Sequence, residues 1–278
     1  MLKTNDFTMK KILDLNTQYY NLYYQFLTLD KESLVCGRSD SLIVAFLFYH
    51  NALLKNDQKT IEEMRKKIVS NLSEYDIEPQ ELTYDNKIST CENNMRLFFS
   101  FFYNSMGSFN KFRKTIGESN RKHIAIEMLQ HRLQYYNFFE IDITTIKYKE
   151  QACGTTHIPL QTLNEFHNAM SHLCSVFIST GASENNIKRA ENHLQRAILD
   201  LYKVIIKDFF IIVSQDIIKE QNDAIQKIKN DIIEIRNLEY KTIGTDRITR
   251  KPSENNKSGE NIFQKYEKVC EKIIDFFN

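Results

Sequence analysis

The chain has 278 residues, of which 42% are hydrophobic, so it is long enough to form the core of one large or two small domains. Only 7 glycines and 3 prolines are available for the tight turns that all-β and α/β proteins need at every connection. The 37 basic and 36 acidic residues give a formal net charge of +1, which excludes a global basic field of the kind that binds nucleic acid non-specifically. We therefore expect an all-α multi-helix bundle, in which any contact with nucleic acid is local.

Cysteine usage and the apolar segments indicate a cytoplasmic protein. The five cysteines are scattered, odd in number and never paired as Cys-x-x-Cys, which is typical of a reduced protein. The first residues, Met1 to Asp6, lack the apolar segment of a secretory signal. The longest apolar run, residues 42–49, is well short of the roughly 20 residues that span a bilayer. We expect neither export nor a membrane contact.

Helical periodicity dominates the first half of the chain. Apolar residues recur there at spacings of three and four, and they predict five helices over residues 4–30, 39–54, 58–72, 88–109 and 119–139. Gly107 and Gly117 bracket a polar break between the last two. The third helix is charged and has a narrow apolar stripe, which consists of Ile61, Met64, Ile68 and Leu72. Residues 140–158 alternate apolar and polar, but a single strand has no partner here, so we interpret them as an extended connection.

A helical hairpin follows. Gly181 and Ser183 are typical of a helix stop and the N-cap of the next helix, so the two flanking helices should run antiparallel as neighbours. This folding places His172 level with His193, each at the border of an apolar stripe. In the structural interpretation the two imidazoles pack where the helices cross, and they hydrogen-bond Asn168, Asn192 or each other.

The segment from Ser183 to Tyr240 contains no glycine or proline. As one helix it would reach ~80 Å at 1.5 Å per residue, so it must either bend or project. Its isoleucines repeat at coiled-coil spacing from Ile218 to Leu238, which favours a long projecting helix with a partner, although folding back on the core is the alternative. The terminal segment is a short amphipathic helix that is marginal alone in water, so it should dock on the body, on another copy or on another protein.

These observations predict four parts: a helical bundle over 1–213 that contains the hairpin 159–205, a projecting helix over 214–243, a flexible linker over 244–261, and an amphipathic docking helix over 262–278. The expected partner is a second copy or another protein. It should bind through residues 215–240 and 262–278.

Cationic groups accompany the hairpin histidines. Arg189, His193, Arg196 and Asp200 are separated by four, three and four residues, so they line one edge of the second hairpin helix. We predict that the first three, together with His167, bind a phosphate or another ligand. Two imidazoles beside arginines could also move a proton.

Two other kinds of site have weaker patterns. Zinc could be held by the pair His172 and His193 with Cys174, Cys153 or His157, but a structural zinc site needs four ligands and usually tight paired spacing. We therefore predict no metal and no cofactor. Charge and aromatic stacking, the combination that holds single-stranded nucleic acid, occur together at Phe109, Phe112, Arg113 and Lys114.

The stretch from His167 to His172 resembles the signature of the HEPN superfamily of all-helical bundles. Active RNases of that family carry an arginine, commonly followed by asparagine, and a histidine a few residues later on the same helix. In them the histidine and the arginine act on the ribose 2′-hydroxyl and the scissile phosphate, usually across a dimer. The resemblance gives His172 the histidine role and Asn168 the polar role, while the arginine position is occupied by His167.

The sequence leaves three functions open. The preferred one is a non-catalytic helical interaction or regulatory subunit, which the resemblance places in a bacterial or phage-linked defence or toxin assembly. The alternative is a metal-independent HEPN-type endoribonuclease toxin that uses His172, Asn168 and Arg196. A nucleotide-sensing helical module that uses the same crevice is the third.

Overall fold

The computed structural model describes residues 3–30, 39–75, 82, 85–118, 158–178, 183–214, 222–243 and 261–278. These residues form eight α-helices and one turn of 3₁₀-helix at Ser73–Tyr75. In chain order the α-helices are α1 (Lys3–Asp30), α2 (Ser39–Lys55), α3 (Gln58–Leu72), α4 (Asp85–Glu118), α5 (Leu160–Ile178), α6 (Ser183–Ser214), α7 (Asn222–Ile243) and α8 (Ile262–Phe277).

The helices settle the predicted fold class. No β-strand occurs among the described residues, so the all-α prediction is confirmed for this part of the chain. Within the same ranges, no helix is both long and apolar enough to cross a membrane. The helix predicted for 119–139 and most of the connection predicted for 140–158 lie outside the described residues.

The described helices divide into two compact units. The first contains α1, α2 and α3, with α4 up to Phe99, α5 from Leu163 and α6 up to Leu194. The second contains the remainder of α4 and α6, together with α7 and α8. The two hairpin histidines therefore belong to the first unit, and the isoleucine stripe belongs to the second.

Aromatic side chains of α1 form the centre of the first unit. The four that are fully buried are Tyr19, Tyr20, Tyr23 and Phe26. The ring of Tyr19 meets Phe46 of α2 edge to face, with centroids 5.7 Å apart. The ring of Tyr20 meets Phe177 of α5 in the same way at 4.7 Å. Such pairs contribute roughly 0.5–1.5 kcal/mol beyond the burial of their area, so α1 fixes the positions of both neighbours.

The third helix, α3, has the amphipathic character that its spacing predicts. Asp57 caps it, because its side chain accepts hydrogen bonds from the backbone N–H of Thr60 at 3.3 Å and from the hydroxyl of the same residue at 2.7 Å. The buried residues of α3 are the predicted apolar ones, namely Ile61, Met64, Ile68 and Leu72. The predicted stripe is therefore confirmed.

Helix α4 is longer than predicted. It continues through Gly107, where we expected a polar break between two helices. Glycine inside a helix costs about 1 kcal/mol relative to alanine. Apolar residues nevertheless recur at helical spacing beyond it, and Phe109, Phe112 and Ile116 are buried. Burial of each such side chain contributes about 1.5–3 kcal/mol, which outweighs the glycine and makes the predicted break wrong.

The run from Ser183 to Tyr240, which begins in the first unit and continues in the second, contains two helices rather than one. Helix α6 ends at Ser214 and α7 begins at Asn222. The isoleucines of the predicted stripe that the structure describes are at most 5% exposed, and they are Ile225, Ile228, Ile232 and Ile235. Because α7 packs against α8 of the same chain, this is the fold-back alternative. A partner along residues 215–240 was expected because the isoleucines would otherwise be exposed, and their burial within the chain removes that reason.

Polar contacts hold α8 on the body of the second unit. The hydroxyl of Tyr266 donates to the Glu239 carboxylate at 2.5 Å, and the ammonium of Lys272 lies 2.6 Å from an Asp231 oxygen. At its start, Asn261 and Gln264 form a capping box, in which each side chain accepts a hydrogen bond from the other's backbone N–H. The terminal helix docks on its own chain, which is one of the three outcomes expected from the sequence.

Candidate functional site

His172 of α5 and His193 of α6 meet face to face in the first unit. Their ring centroids are 5.3 Å apart and their planes are 19° from parallel. The antiparallel hairpin predicted from Gly181 and Ser183 brings the two residues to the same level. The predicted proximity of these two histidines is therefore confirmed, and their pair is the centre of the candidate site.

His193 is oriented by a carboxylate. Its Nδ1 lies 2.5 Å from Oε2 of Glu165, and the side chains of this pair are only 18% and 14% exposed, respectively. An ionised carboxylate can only accept a hydrogen bond, so Nδ1 of His193 carries a proton and donates it. Nε2 is then the ring nitrogen of His193 that is left to act on a ligand. The sequence predicted Asn168, Asn192 or the other histidine as the partner of His193, and this prediction is wrong because the carboxylate of Glu165 takes that place.

His172 is surrounded differently. Burial lowers its pKa most, the charges of His193 and Arg189 lower the pKa further, and a hydrogen bond with the Asn186 side chain opposes this shift. The imidazole of His172 is therefore held neutral near pH 7. A neutral imidazole can accept a proton, and the exposed Arg189 supplies a positive charge on the same side of the hairpin.

His167, at the arginine position of the resemblance, contacts α1. Its Nδ1 and the Tyr23 hydroxyl are hydrogen-bonded at 2.9 Å. Its ring also lies 5.5 Å from the ring of Phe26, measured between centroids, in an edge-on arrangement. Asn168, the next residue, is exposed. The two residues that open the signature therefore have different surroundings from the stacked pair.

The remaining candidates on α6 lie in the second unit. Asp200 accepts a hydrogen bond from Nε2 of Gln161 at 2.9 Å. The Nε atom of Arg196 is buried. The sequence predicted that four residues line one edge of α6. Arg189 and His193 belong to the first unit, whereas Arg196 and Asp200 belong to the second.

The weaker patterns find little support. No group of His, Cys, Asp or Glu within the described residues could hold a metal ion. Burial raises the pKa of the Cys174 thiol far above its usual range, so this cysteine is a core residue. Cys153 and His157 lie outside the described residues. Phe109 and Phe112 are each 1% exposed, so neither ring is available to stack on a base, and the predicted stacking surface is wrong.

Two residues of the site, Glu165 and Asn186, were not among the residues predicted from the sequence. A signal for them exists in the spacing. Glu165 precedes His172 by seven residues on α5, and Asn186 precedes His193 by seven on α6, so each pair shares a helix face. In an antiparallel hairpin the first member of each pair faces the second member of the other. Glu165 meets His193 and Asn186 meets His172 in this way.

No protein-family profile, curated protein or solved structure matches this chain at a significant level.

Proposed function

We propose that this protein is a non-catalytic helical interaction or regulatory subunit. The observation that carries the proposal is the hydrogen bond between His167 and Tyr23. His167, the residue at the arginine position of the nuclease signature, is hydrogen-bonded to Tyr23 and packs on Phe26, both aromatic residues of α1. It also lacks the planar, permanently charged fork with which arginine binds a phosphate in two places.

The remaining histidines have a structural task in this proposal. The carboxylate of Glu165 and the ring of His193 join α5 to α6, and stacking of His172 on His193 extends this contact. Hydrogen bonds to charged groups contribute about 1.5–3 kcal/mol, enough to fix the hairpin as a rigid element for binding a partner. The setting in a bacterial or phage-linked defence or toxin assembly rests on the HEPN resemblance alone.

The test is an RNase assay of the purified full chain in EDTA, with a single-stranded RNA and its 2′-deoxy counterpart. Wild type, His172→Ala and His193→Ala are compared at pH 6, 7 and 8, which brackets the titration of histidine near 6.5. We expect the same low background from all three proteins. Metal-independent cleavage of the RNA that disappears in His172→Ala would overturn the proposal.

A second candidate, metal-independent endoribonuclease activity, is favoured by the stacked histidines. Neutral His172 would take the proton from the ribose 2′-hydroxyl, whose oxygen then forms the new bond to phosphorus. His193, oriented by Glu165, would have to carry a proton on Nε2 as well as on Nδ1, and it would give the Nε2 proton to the departing 5′-oxygen as its bond to phosphorus breaks. Arg189 would stand beside the charged phosphate.

The same assay separates the two functions further with Glu165→Gln. Glutamine keeps the size of the side chain but removes its charge. For a nuclease, the loss of the group that orients His193 should lower the rate by about tenfold or more, and the product should be a 2′,3′-cyclic phosphate. For an interaction subunit, Glu165→Gln changes stability and leaves the background unaltered.

A further inference from the structure

One side of α7 is exposed to solvent and has the spacing of a coiled-coil seam. Its residues are separated alternately by three and four positions, and they are Asp223, Gln226, Asn230, Ile233, Asn237 and Tyr240. Every member of this set is exposed. The buried isoleucine stripe of α7 lies on another side of the helix, where α8 packs against it. The exposed set is named here the α7 seam.

The apolar members of the α7 seam stand one heptad apart. Ile233 is 57% exposed and Tyr240 is 72% exposed. Among the described residues, the three most exposed large hydrophobic side chains are these two and Leu97, at 60%. Residues at this separation on one side of a helix can both occupy the d positions of a coiled coil. Large apolar side chains that recur along one exposed line mark an interaction surface.

Asparagines alternate with the apolar residues of the α7 seam. With Ile233 and Tyr240 at d, Asn230 and Asn237 fall at a. In a parallel two-stranded coiled coil each a residue faces its own copy, so the two amides of a layer can hydrogen-bond each other. In an antiparallel pair a faces d, and an asparagine opposite Ile233 would be left without a partner at a cost in free energy. The layers therefore indicate a second copy of α7 in parallel orientation.

Two charged residues beside the α7 seam are complementary to a second copy. Lys229 precedes an a position and Glu234 follows a d position, so they are g and e residues. Neither is paired with another side chain in the part of the chain that the structure describes. In a parallel pair g meets e of the next heptad, so Lys229 of each copy meets Glu234 of the other. Arg236, also at g, would meet Lys241, but Glu239 at 2.9 Å already offsets its charge.

We propose that two copies of this chain associate through the α7 seam as a short parallel coiled coil. Only two of its layers are apolar, so the interface belongs to the small, transient class, and we expect a dissociation constant on the order of 0.1 mM. At low micromolar concentration the chain is then a monomer. The inference goes beyond the proposed function, whose evidence lies in the hairpin of the first unit.

The test is sedimentation equilibrium of the full chain between about 10 and 500 μM, a range that brackets this dissociation constant. Ile233→Glu should weaken dimerisation about tenfold or more, because it places a charge in an apolar layer. Ala224→Glu is the matched control, since Ala224 is exposed and stands nine residues before Ile233, on the opposite side of α7. It should leave the dissociation constant unchanged. Circular dichroism checks each fold, and Tyr240→Glu replaces Ile233→Glu if the latter unfolds.

Charge reversal tests the contacts beside the α7 seam. Lys229→Glu and Glu234→Lys should each weaken dimerisation about fivefold, because like charges then face each other at two places in the dimer. The variant with both reversals restores opposite charges across the dimer, so it should recover the wild-type dissociation constant. A merely structural effect of either substitution would not be reversed in this way.

Disulfide formation tests the orientation of the two copies. In a parallel dimer position 237 faces its own copy, so Asn237→Cys alone should oxidise to a covalent dimer. Ala224→Cys, on the opposite side of α7, should not. Wild type gives the background, and the three native cysteines that the structure describes are buried.

Four results would overturn the inference. They are a chain that stays monomeric over the whole concentration range, an equal loss in Ile233→Glu and Ala224→Glu, a double charge reversal that dimerises no better than the single ones, and an Asn237→Cys variant that forms no more covalent dimer than Ala224→Cys. Failure of the proposed function would look different, because it would appear as RNA cleavage that requires His172 in the monomer at low micromolar concentration.

Discussion

The imidazole rings of His172 and His193 stack 5.3 Å apart and 19° from parallel. Two positive charges at this separation would repel each other, so the pair does not hold two protonated rings near neutral pH. Burial and the charges of His193 and Arg189 lower the pKa of His172, while Glu165 accepts the hydrogen bond from His193. The two histidines therefore have different chemical surroundings although they touch.

The contact between Glu165 and His193 should contribute measurably to stability. In a double-mutant cycle with Glu165→Ala, His193→Ala and the double variant, we expect a coupling energy of about 1–2 kcal/mol at pH 6. The chain has no tryptophan, so urea unfolding is followed by circular dichroism. A control cycle pairs His193→Ala with Asn164→Ala, an exposed neighbour of Glu165, and its coupling should be below about 0.5 kcal/mol. Equal coupling in both cycles would contradict the contact.

A buried histidine should make the first unit sensitive to acid. His50 is 1% exposed, its ring lies 4.2 Å from that of Phe99, and burial lowers its pKa from 6.5 to about 3. Below pH 6.5 the unfolded chain then binds a proton at His50 that the folded chain does not bind. The contribution of His50 to the free energy of unfolding is therefore fully present above this pH, and it is lost as the pH decreases towards 3. At pH 5 the expected loss is about 2 kcal/mol. His172 shifts in the same direction.

The measurement is urea unfolding of wild type and His50→Phe at pH 7.5, 6 and 5. Because the phenyl ring of the variant does not titrate, its free energy of unfolding should fall less steeply with decreasing pH than that of wild type. The phenyl ring is larger and can change the absolute stability, so the slope with pH is compared. A matched control is His172→Phe, which should flatten the decline less, because His172 is partly exposed. An unchanged slope in His50→Phe would show that His50 is not the group responsible.

Glu92 should act in the opposite direction. Burial raises its pKa to about 7, and the hydrogen bond from Asn16 at 2.5 Å opposes the shift. The folded chain then holds a proton that the unfolded chain loses above pH 4.5, so this contribution to stability decreases as the pH rises towards 7. Glu92→Gln, which is neutral and can still accept from Asn16, should stabilise the chain by up to about 3 kcal/mol at pH 8. Glu63 on α3 is exposed, so Glu63→Gln should change the free energy of unfolding little. An equal gain in Glu63→Gln would contradict the prediction.

Local signals in the sequence were sufficient for several features. In the sequence, Gly181 and Ser183 predict the end of one helix and the start of the next, and an antiparallel pair about that point predicts which residues of α5 and α6 lie at the same level. The apolar stripe of α3 follows from spacing alone, because one side of a surface helix must be buried. The proximity of His172 and His193 could be predicted for the same reason.

The remaining features depend on contacts that no local pattern specifies. The choice of Glu165 over Asn168 as the partner of His193 depends on how both helices are rotated about their axes. The isoleucine stripe of α7 would look the same on a coiled coil between copies as on a helix covered by α8. At Gly107 the low helix propensity of glycine favours a break, but the burial of later residues in α4 outweighs this local preference, as tertiary packing often does.

Burial of the isoleucine stripe leads to a prediction about neighbouring residues. Ile232 is 4% exposed and Ile233 is 57% exposed. Ile232→Ala should lower the free energy of unfolding by about 2–4 kcal/mol through the cavity that it leaves, whereas Ile233→Ala should change it by less than about 0.5 kcal/mol. Light scattering accompanies urea unfolding for both variants. If Ile232→Ala instead converts an oligomer into folded monomers of undiminished stability, the stripe is an interface between copies.

An arginine at position 167, as in the HEPN signature that residues 167–172 resemble, should not create a nuclease. In His167→Arg the guanidinium replaces a ring that is hydrogen-bonded to Tyr23 and packed on Phe26, so we expect a loss of about 1–3 kcal/mol in the free energy of unfolding. Asn168→Arg places the same charge on the exposed neighbour and should change stability by less than about 0.5 kcal/mol. Neither variant should cleave RNA in EDTA. If His167→Arg gains a cleavage activity that a second substitution, His172→Ala, removes, then the hairpin is an intact nuclease site that lacks one residue, and the interaction proposal fails.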